Sequence, residues 1–348
     1  MSEHSNVNAS STMSGFQFQV NVAIYFMFRY LKDIASIRVE GEKEDVEVYL
    51  NNNNRYMIQA KAQTIDLNDN ANNSANLKKA LKSLANADEK NVQYLFYATN
   101  MLNPINTPTK EFENYDLVTK MYNELSIESK KKIDKQIENL KGVSIDKDKL
   151  VIIRIPFFGN FNEEKYKFII QTARDVFSMM STSLVNKSNT IIHYVESKFY
   201  DNGTAQKETK ISKEEFCNWI ILTEIEGLDL SNDNLNIGID ELDYYDAYNQ
   251  YQRFINEKSS SYEIYGKVYS LYNRARKNKD ITINDFVKEK KIELYNYFFE
   301  ENIENENQIN ENNIFDIYVA QIISYAILKK NRIIKKIKEG ANLWKSNI

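Results

Sequence analysis

Apolar residues recur at three- and four-residue steps from Phe16 through Val20, Ala23, Ile24, Met27 and Phe28 to Leu31, which predicts an opening helix with Ser14 as its N-cap. The period then changes to two. Ile37 and Val39 alternate with Arg38 and Glu40; Val46, Val48 and Leu50 alternate with Asp45, Glu47 and Tyr49; Tyr56, Ile58 and Ala60 alternate with Met57, Gln59 and Lys61. The last two runs flank an Asn-rich turn at 51–54 and predict a β-hairpin. An Asn/Asp-rich stretch at 66–76 reads as a loop before a helix over 77–87, and the compact run 92–98 reads as a buried strand. Further on, the pattern predicts a charged helix over 110–140, a strand over 150–155 stopped by Pro156, and a helix over 163–180.

Prolines occur at 104, 108 and 156 and nowhere later, while long helical patterns such as 315–343 fill the back of the chain. The sequence therefore predicts a flexible tail over 1–13, an α/β domain over 14–200 and a mainly α-helical domain over 201–348, with an exposed loop at 300–313. The length of 348 residues agrees with two domains at ~150 residues each.

Composition removes several function classes. Lys and Arg total 45 against 49 Asp and Glu, a net charge of −4, so any nucleic-acid surface must be a local patch. One cysteine excludes an internal disulfide and fits a reducing compartment. The two histidines, His4 and His193, leave zinc sites and His-based triads poorly supplied. The apolar run 20–31 is interrupted by Asn21 and Arg29 and falls short of the ~20 residues a membrane span needs. The expectation is a soluble, cytoplasmic protein with no membrane partner.

The hairpin carries the chemistry. Alternation puts Gln59 and Lys61 on one strand face, ~7 Å apart along it, and Asp45 at the start of the partnering strand with its side chain opposed to Val46, Val48 and Leu50. A carboxylate, an amide and a lysine then share one side of a small sheet. Asp45, Gln59 and the carbonyl of Ala60 can offer a hard cation its preferred oxygens. Lys61 can orient water and stabilise charge on a phosphate.

The order helix, strand, Asp, strand, Gln-x-Lys resembles the core of the PD-(D/E)XK nucleases, in the variant with Gln in place of the acid before the lysine. The opening Ser14-Gly15-Phe16-Gln17-Phe18-Gln19 is similar to the first helix of Mrr-like restriction enzymes. Together with Val39-Glu40, Glu44-Asp45-Val46-Glu47-Val48 and Ile58-Gln59-Ala60-Lys61, it resembles the double-stranded DNA endonuclease domain of the CD-NTase-associated protein 4 type, also found in Lamassu-like and HerA-associated defence systems. Asn76 to Leu81 and Leu95 to Asn100 extend the resemblance, which covers 14–100 and thins out beyond.

The resemblance implies a restriction-endonuclease-like fold for the N-terminal domain and a catalytic set of Asp45, Gln59 and Lys61. It implies Mg²⁺ held by Asp45, Gln59 and Ala60, with Mn²⁺ able to substitute, and Gln19 and Glu40 as outer groups. Ala62 departs from the hydroxyl or basic residue that often follows the lysine. The implied function is a double-stranded DNA endonuclease of antiphage defence, acting as a homo-oligomer or under a partner such as an ATPase. Two alternatives stand beside it: a non-catalytic assembly subunit with a nuclease fold, and a nuclease acting on RNA.

Two basic clusters are candidates for phosphate contact: Lys78, Lys79 and Lys82, and, within a run on the last helix, Lys335 and Lys336. A solvated helix face is the ordinary reading of such runs. Cys217 reads as a buried structural residue. The series Tyr244, Tyr245, Tyr248, Tyr251 and Phe254 reads as helix core or interface before it reads as a base-stacking platform. No phosphate-binding glycine loop is present, so ATP hydrolysis is not expected of this chain.

Overall fold

A computed structural model describes residues 9–343 apart from 64–69, 106–108, 141, 143, 160–161, 205–209, 227–236, 259–262, 300 and 302. His4 and the first part of the expected 66–76 loop, residues 66–69, lie outside the described residues. The chain divides into two compact units between Lys213 and Glu214.

The first unit is built on a seven-stranded mixed sheet. In chain order it runs α1 (Ala9–Arg29), β1 (Ile34–Val39), β2 (Val46–Leu50), β3 (Arg55–Lys61), α2 (Asn70–Ala87), β4 (Val92–Thr99), β5 (Val118–Met121), α3 (Ile127–Glu138), β6 (Leu150–Arg154), α4 (Asn162–Lys165), α5 (Lys167–Ser178), α6 (Thr182–Asn186), α7 (Ser188–Thr204) and β7 (Ile211–Ser212). The strands lie in the order β5-β6-β4-β3-β2-β1-β7. β3, β4 and β6 are parallel neighbours, and every other pairing is antiparallel.

Both faces of the sheet are covered. α1 packs on β1 and β3 and is itself backed by α5 and α7. That explains why Val20 to Phe28 is buried all round and carries no polar stripe. On the opposite face α2 and α3 enclose a cluster that includes Met57, Leu77, Leu81, Leu84, Leu95 and Ile133. Two-sided burial extends to the hairpin, where Glu47, Met57 and Gln59 are buried.

Several boundaries differ from the pattern. α1 begins at Ala9, so Ser14 lies inside the helix rather than capping it, and the expected tail is shorter than 1–13. α2 begins at Asn70, taking in the second half of the expected loop. The expected helix over 110–140 is a 3-10 turn at Lys110–Phe112, the strand β5 and then α3. The reason lies in Arg154, fully buried on β6. Its guanidinium donates to the carbonyls of Leu102 at 2.7 Å, Phe112 at 3.0 Å, Asp116 at 3.1 Å and, in a shorter bond, Asn114. Carbonyls committed to that side chain are not free to build a helix. The expected break near 200–205 falls on the end of α7, and the chain returns to the sheet as β7 before the units divide.

The second unit, Glu214–Ile348, is helical throughout its described residues, apart from connecting turns: α8 (Lys213–Glu226, from its second residue), α9 (Glu241–Lys258), α10 (Glu263–Asn278), α11 (Ile283–Glu289), α12 (Lys291–Phe299) and α13 (Glu311–Gly340). α13 packs against α9, α10, α11 and α12, and its residues Val319 to Leu328 are nearly all buried. The tyrosine series is core in part: Tyr244 and Tyr251 are buried, with Tyr248 stacked between them, while Tyr245 is exposed. The side chain of Phe254 lies outside the described residues. Cys217 is buried as expected. Among the described residues no helix is long and apolar enough to cross a membrane.

Candidate functional site

The turn between β1 and β2 sets the position of Asp45. Glu40 adopts a left-handed backbone with φ 51°. Its N–H bonds the carbonyl of Asp45 at 2.8 Å, and the N–H of Gly41 bonds that of Glu44 at 2.9 Å. Glycine is required at 41 because an added Cβ would come within 2.5 Å of the buried Glu47 side chain. The turn is thus held shut, and Asp45 is delivered to the edge of β3 immediately before β2 begins.

β2 pairs with β3 through Val46 and Ile58, so two residues further on Ala60 has no backbone partner on that side. Asp45 takes the vacant place. Its Oδ2 accepts the Ala60 N–H at 2.9 Å, an N–H of the Gln59 amide in a shorter bond, and Lys61 Nζ at 3.4 Å. In a β-strand the N–H and carbonyl of one residue leave on the same side, which puts the Ala60 carbonyl on the Asp45 side too. Asp45, Gln59, Ala60 and Lys61 therefore converge as the sequence predicts.

Gln19 and Glu40 join them. Partial burial pushes the Glu40 carboxyl upward although its outer surface is open to solvent, and the Asp45 charge adds to the rise; a hydrogen bond from Gln19 and the Lys61 charge oppose it. Glu44, which the alternation does not single out, stands near Asp45 and Lys61. It is 4% exposed, and burial, with the Asp45 and Glu47 charges adding, pushes it to about 8; Ser83 and Lys61 pull the other way. Neither Glu44 oxygen has a donor at hydrogen-bonding geometry, Ser83 standing close but outside it, and Gln19 Oε1 is also unpartnered. Nothing in the sequence marks Glu44 out, because it stands in a charged run, Glu42-Lys43-Glu44-Asp45, and only its burial in the fold separates it from its neighbours.

A hard divalent cation suits this donor set. The available atoms are oxygens: the Asp45 carboxylate, the Ala60 carbonyl, and the Gln59 amide once its N and O ends are exchanged, an assignment set by hydrogen bonding rather than shape. Unpartnered oxygens of Gln19 and Glu44 lie in the same neighbourhood. Among the described residues no group of three or more His, Cys, Asp and Glu forms a metal cluster, so such a site would be poor in carboxylates.

The site sits at the carboxyl end of β3, where open α/β sheets place their ligands. There Asn100 joins three parallel strands. Its Oδ1 accepts the Gln63 N–H at 2.8 Å, and its Nδ2 donates to the carbonyls of Gln63 at 2.9 Å and Phe157 at 3.0 Å. A cavity of about 230 Å³ opens beside this clamp, lined in part by Ala62, Gln63 and Asn100.

Of the basic candidates, Lys78, Lys79 and Lys82 are exposed on α2, the helix over the Met57–Gln59–Lys61 face of β3. Lys335 and Lys336 are exposed on α13 in the second unit, and Lys330 of the same run is paired with buried Glu224 at 3.2 Å.

No family model matches the chain, and no curated protein matches it. A solved structure of the Acinetobacter baumannii Cap4 SAVED/CARF-domain containing receptor with the cyclic trinucleotide 2'3'3'-cAAA is similar over 60% of this chain, at 16% identity and a TM-score of 0.34. The chain spans 44% of that protein's length.

Proposed function

We propose that the first unit is a restriction-endonuclease-like domain that hydrolyses DNA phosphodiesters with a divalent cation, Mg²⁺ or Mn²⁺, as the effector of an antiphage defence system. The observation that carries this reading is the convergence of Gln59, Ala60 and Lys61 on one oxygen of Asp45. The resemblance of 14–100 to a defence endonuclease supplies the substrate and the biological setting.

Asp45, the Ala60 carbonyl and the Gln59 amide would hold the cation, with Glu40 and Gln19 behind them. When bound, a divalent cation supplies positive charge against the phosphate and lowers the pKa of water. Lys61 then has two tasks. Relieved of Asp45, its ammonium can orient the attacking water by a hydrogen bond and neutralise charge that grows on the phosphate oxygens. A single strong carboxylate holds Mg²⁺ modestly, so substrate phosphate is needed to complete the site. That requirement, with the attached helical unit, supports control by assembly or by a partner protein.

Plasmid linearisation by the full chain tests the reading. Asp45→Asn and Lys61→Ala are expected to abolish cleavage, Gln59→Ala to impair it strongly, and EDTA to stop the wild type. Asp45→Asn is preferred to Ala because it keeps an oxygen for the Ala60 N–H. Cutting that persists in EDTA overturns the metal-dependent reading. Duplex binding without cleavage under Mg²⁺ or Mn²⁺ favours a non-catalytic assembly subunit, and faster cutting of RNA than DNA moves the substrate.

A further inference from the structure

The mouth of the cavity at the strand ends holds a cation that the candidate hydrolytic set does not use. Lys165 closes α4 and lines the cavity together with Gln63, Asn100 and Phe158. Its ammonium lies 4.7 Å from the centre of the Phe157 ring, and one of its three donors is taken by Gln17 Oε1 at 2.6 Å.

Gln17 is fixed in turn. Its Nε2 donates to the Tyr166 hydroxyl at 2.7 Å and to Glu196 at 3.2 Å. Glu196 is 8% exposed and also accepts Asn21 Nδ2 at 2.6 Å and the Tyr166 hydroxyl at 2.7 Å. His193 Nδ1 stands 3.7 Å from its other oxygen. A buried carboxylate therefore anchors Gln17, and Gln17 anchors Lys165. Burial lowers the Lys165 pKa while the Glu196 charge supports it. An ammonium held in a partly desolvated mouth gains most from an anionic oxygen.

The place narrows the choice of anion. Gln63, which lines the cavity with Lys165, follows Lys61 by two residues and so lies at most ~7 Å along the chain from it, within about two nucleotides at a rise of ~3.4 Å per strand. Phe158 is 40% exposed at the rim and offers a sugar or base an apolar face. Glu164 stands beside Gly159 and excludes a second anion there.

We propose that Lys165, positioned by Gln17 and Glu196, binds a DNA backbone phosphate within about two nucleotides of the one presented to Asp45 and Lys61. The inference rests on the nuclease reading for its substrate, and its test does not depend on cleavage. Anisotropy of a labelled short duplex, titrated with full-length protein in EDTA over a salt series, gives both affinity and salt slope. Lys165→Met is expected to weaken binding five- to tenfold and to reduce the slope by about one. Lys165→Arg should keep the slope, and Lys165→Gln, which can still bond Gln17, should lose it as Met does. A neutral variant with wild-type melting temperature, affinity and slope overturns the proposal, and so does a wild type that binds no duplex. Slope loss in a protein that never cleaves would sink the hydrolytic reading and leave this contact standing. Cleavage by wild type with no effect of Lys165 on binding would do the reverse.

Discussion

Arg154 shows how much one buried charge can organise. It serves the carbonyls of Leu102, Phe112, Asn114 and Asp116, and its guanidinium stacks 5.5 Å from Phe112 and 5.6 Å from Tyr115. Arg154→Met keeps the stem but leaves four carbonyls without their donor, and a loss of about 3–5 kcal/mol is expected. Urea unfolding checks it: a change below about 1 kcal/mol would mean that water replaces the guanidinium at no cost. At this scale the candidate site divides into a legible and an illegible part. Asp45, Gln59 and Lys61 were legible because period-two alternation and a short hairpin fix which side chains share a face. Lys165 and Gln17 were not, being 148 residues apart, and neither were Asn21 and Glu196, 175 apart. No local period encodes a contact between helices that far separated.

Among the elements, α3 depends on a residue outside itself. Ser126 caps it by accepting the Ser129 N–H at 3.3 Å, and Glu111, fifteen positions before Ser126, accepts the Ser126 N–H and the Ser129 hydroxyl. Burial alone would raise the Glu111 carboxyl, but hydrogen bonding, led by the Ser126 N–H, outweighs it and holds it at about 2. A lowered carboxyl adds stability above its unfolded value of ~4.3, and that contribution disappears as pH falls toward 2. Glu111→Gln should therefore cost about 0.5–1 kcal/mol at neutral pH, as caps and helix-end charges do. It should cost progressively less in melts between pH 4.5 and 2. An equal deficit at both ends would show that the charge is irrelevant. The same region marks the limit of pattern reading. The strands around the hairpin and the helices α1, α5 and α13 were legible from periodicity, whereas 110–140 was not. There, pairing of β5 on β6 and the grip of Arg154 override the local helical preference.

On the scale of the whole molecule, the division after Lys213 and the place of β7 predict where the chain can be cut. A fragment 1–213 keeps β7 on β1 and the end of α7, where Gly203 meets Phe16 and Tyr200 packs edge-on against it at 5.2 Å. It is expected to be monodisperse by light scattering, with a single cooperative melt. A fragment ending at 200 lacks β7 and should aggregate, since it bares the edge of β1; equal behaviour of the two would remove any structural role for 201–213. Ser36 pairs with Ser212 and Ile37 with Ile211, so the first strand of the sheet is finished by almost the last residues of its unit. A ribosome has released the entire hairpin long before it makes that closing segment. Throughout translation the nascent sheet carries an open edge, and it is there that a chaperone, or a second nascent chain on the same messenger, would pair first.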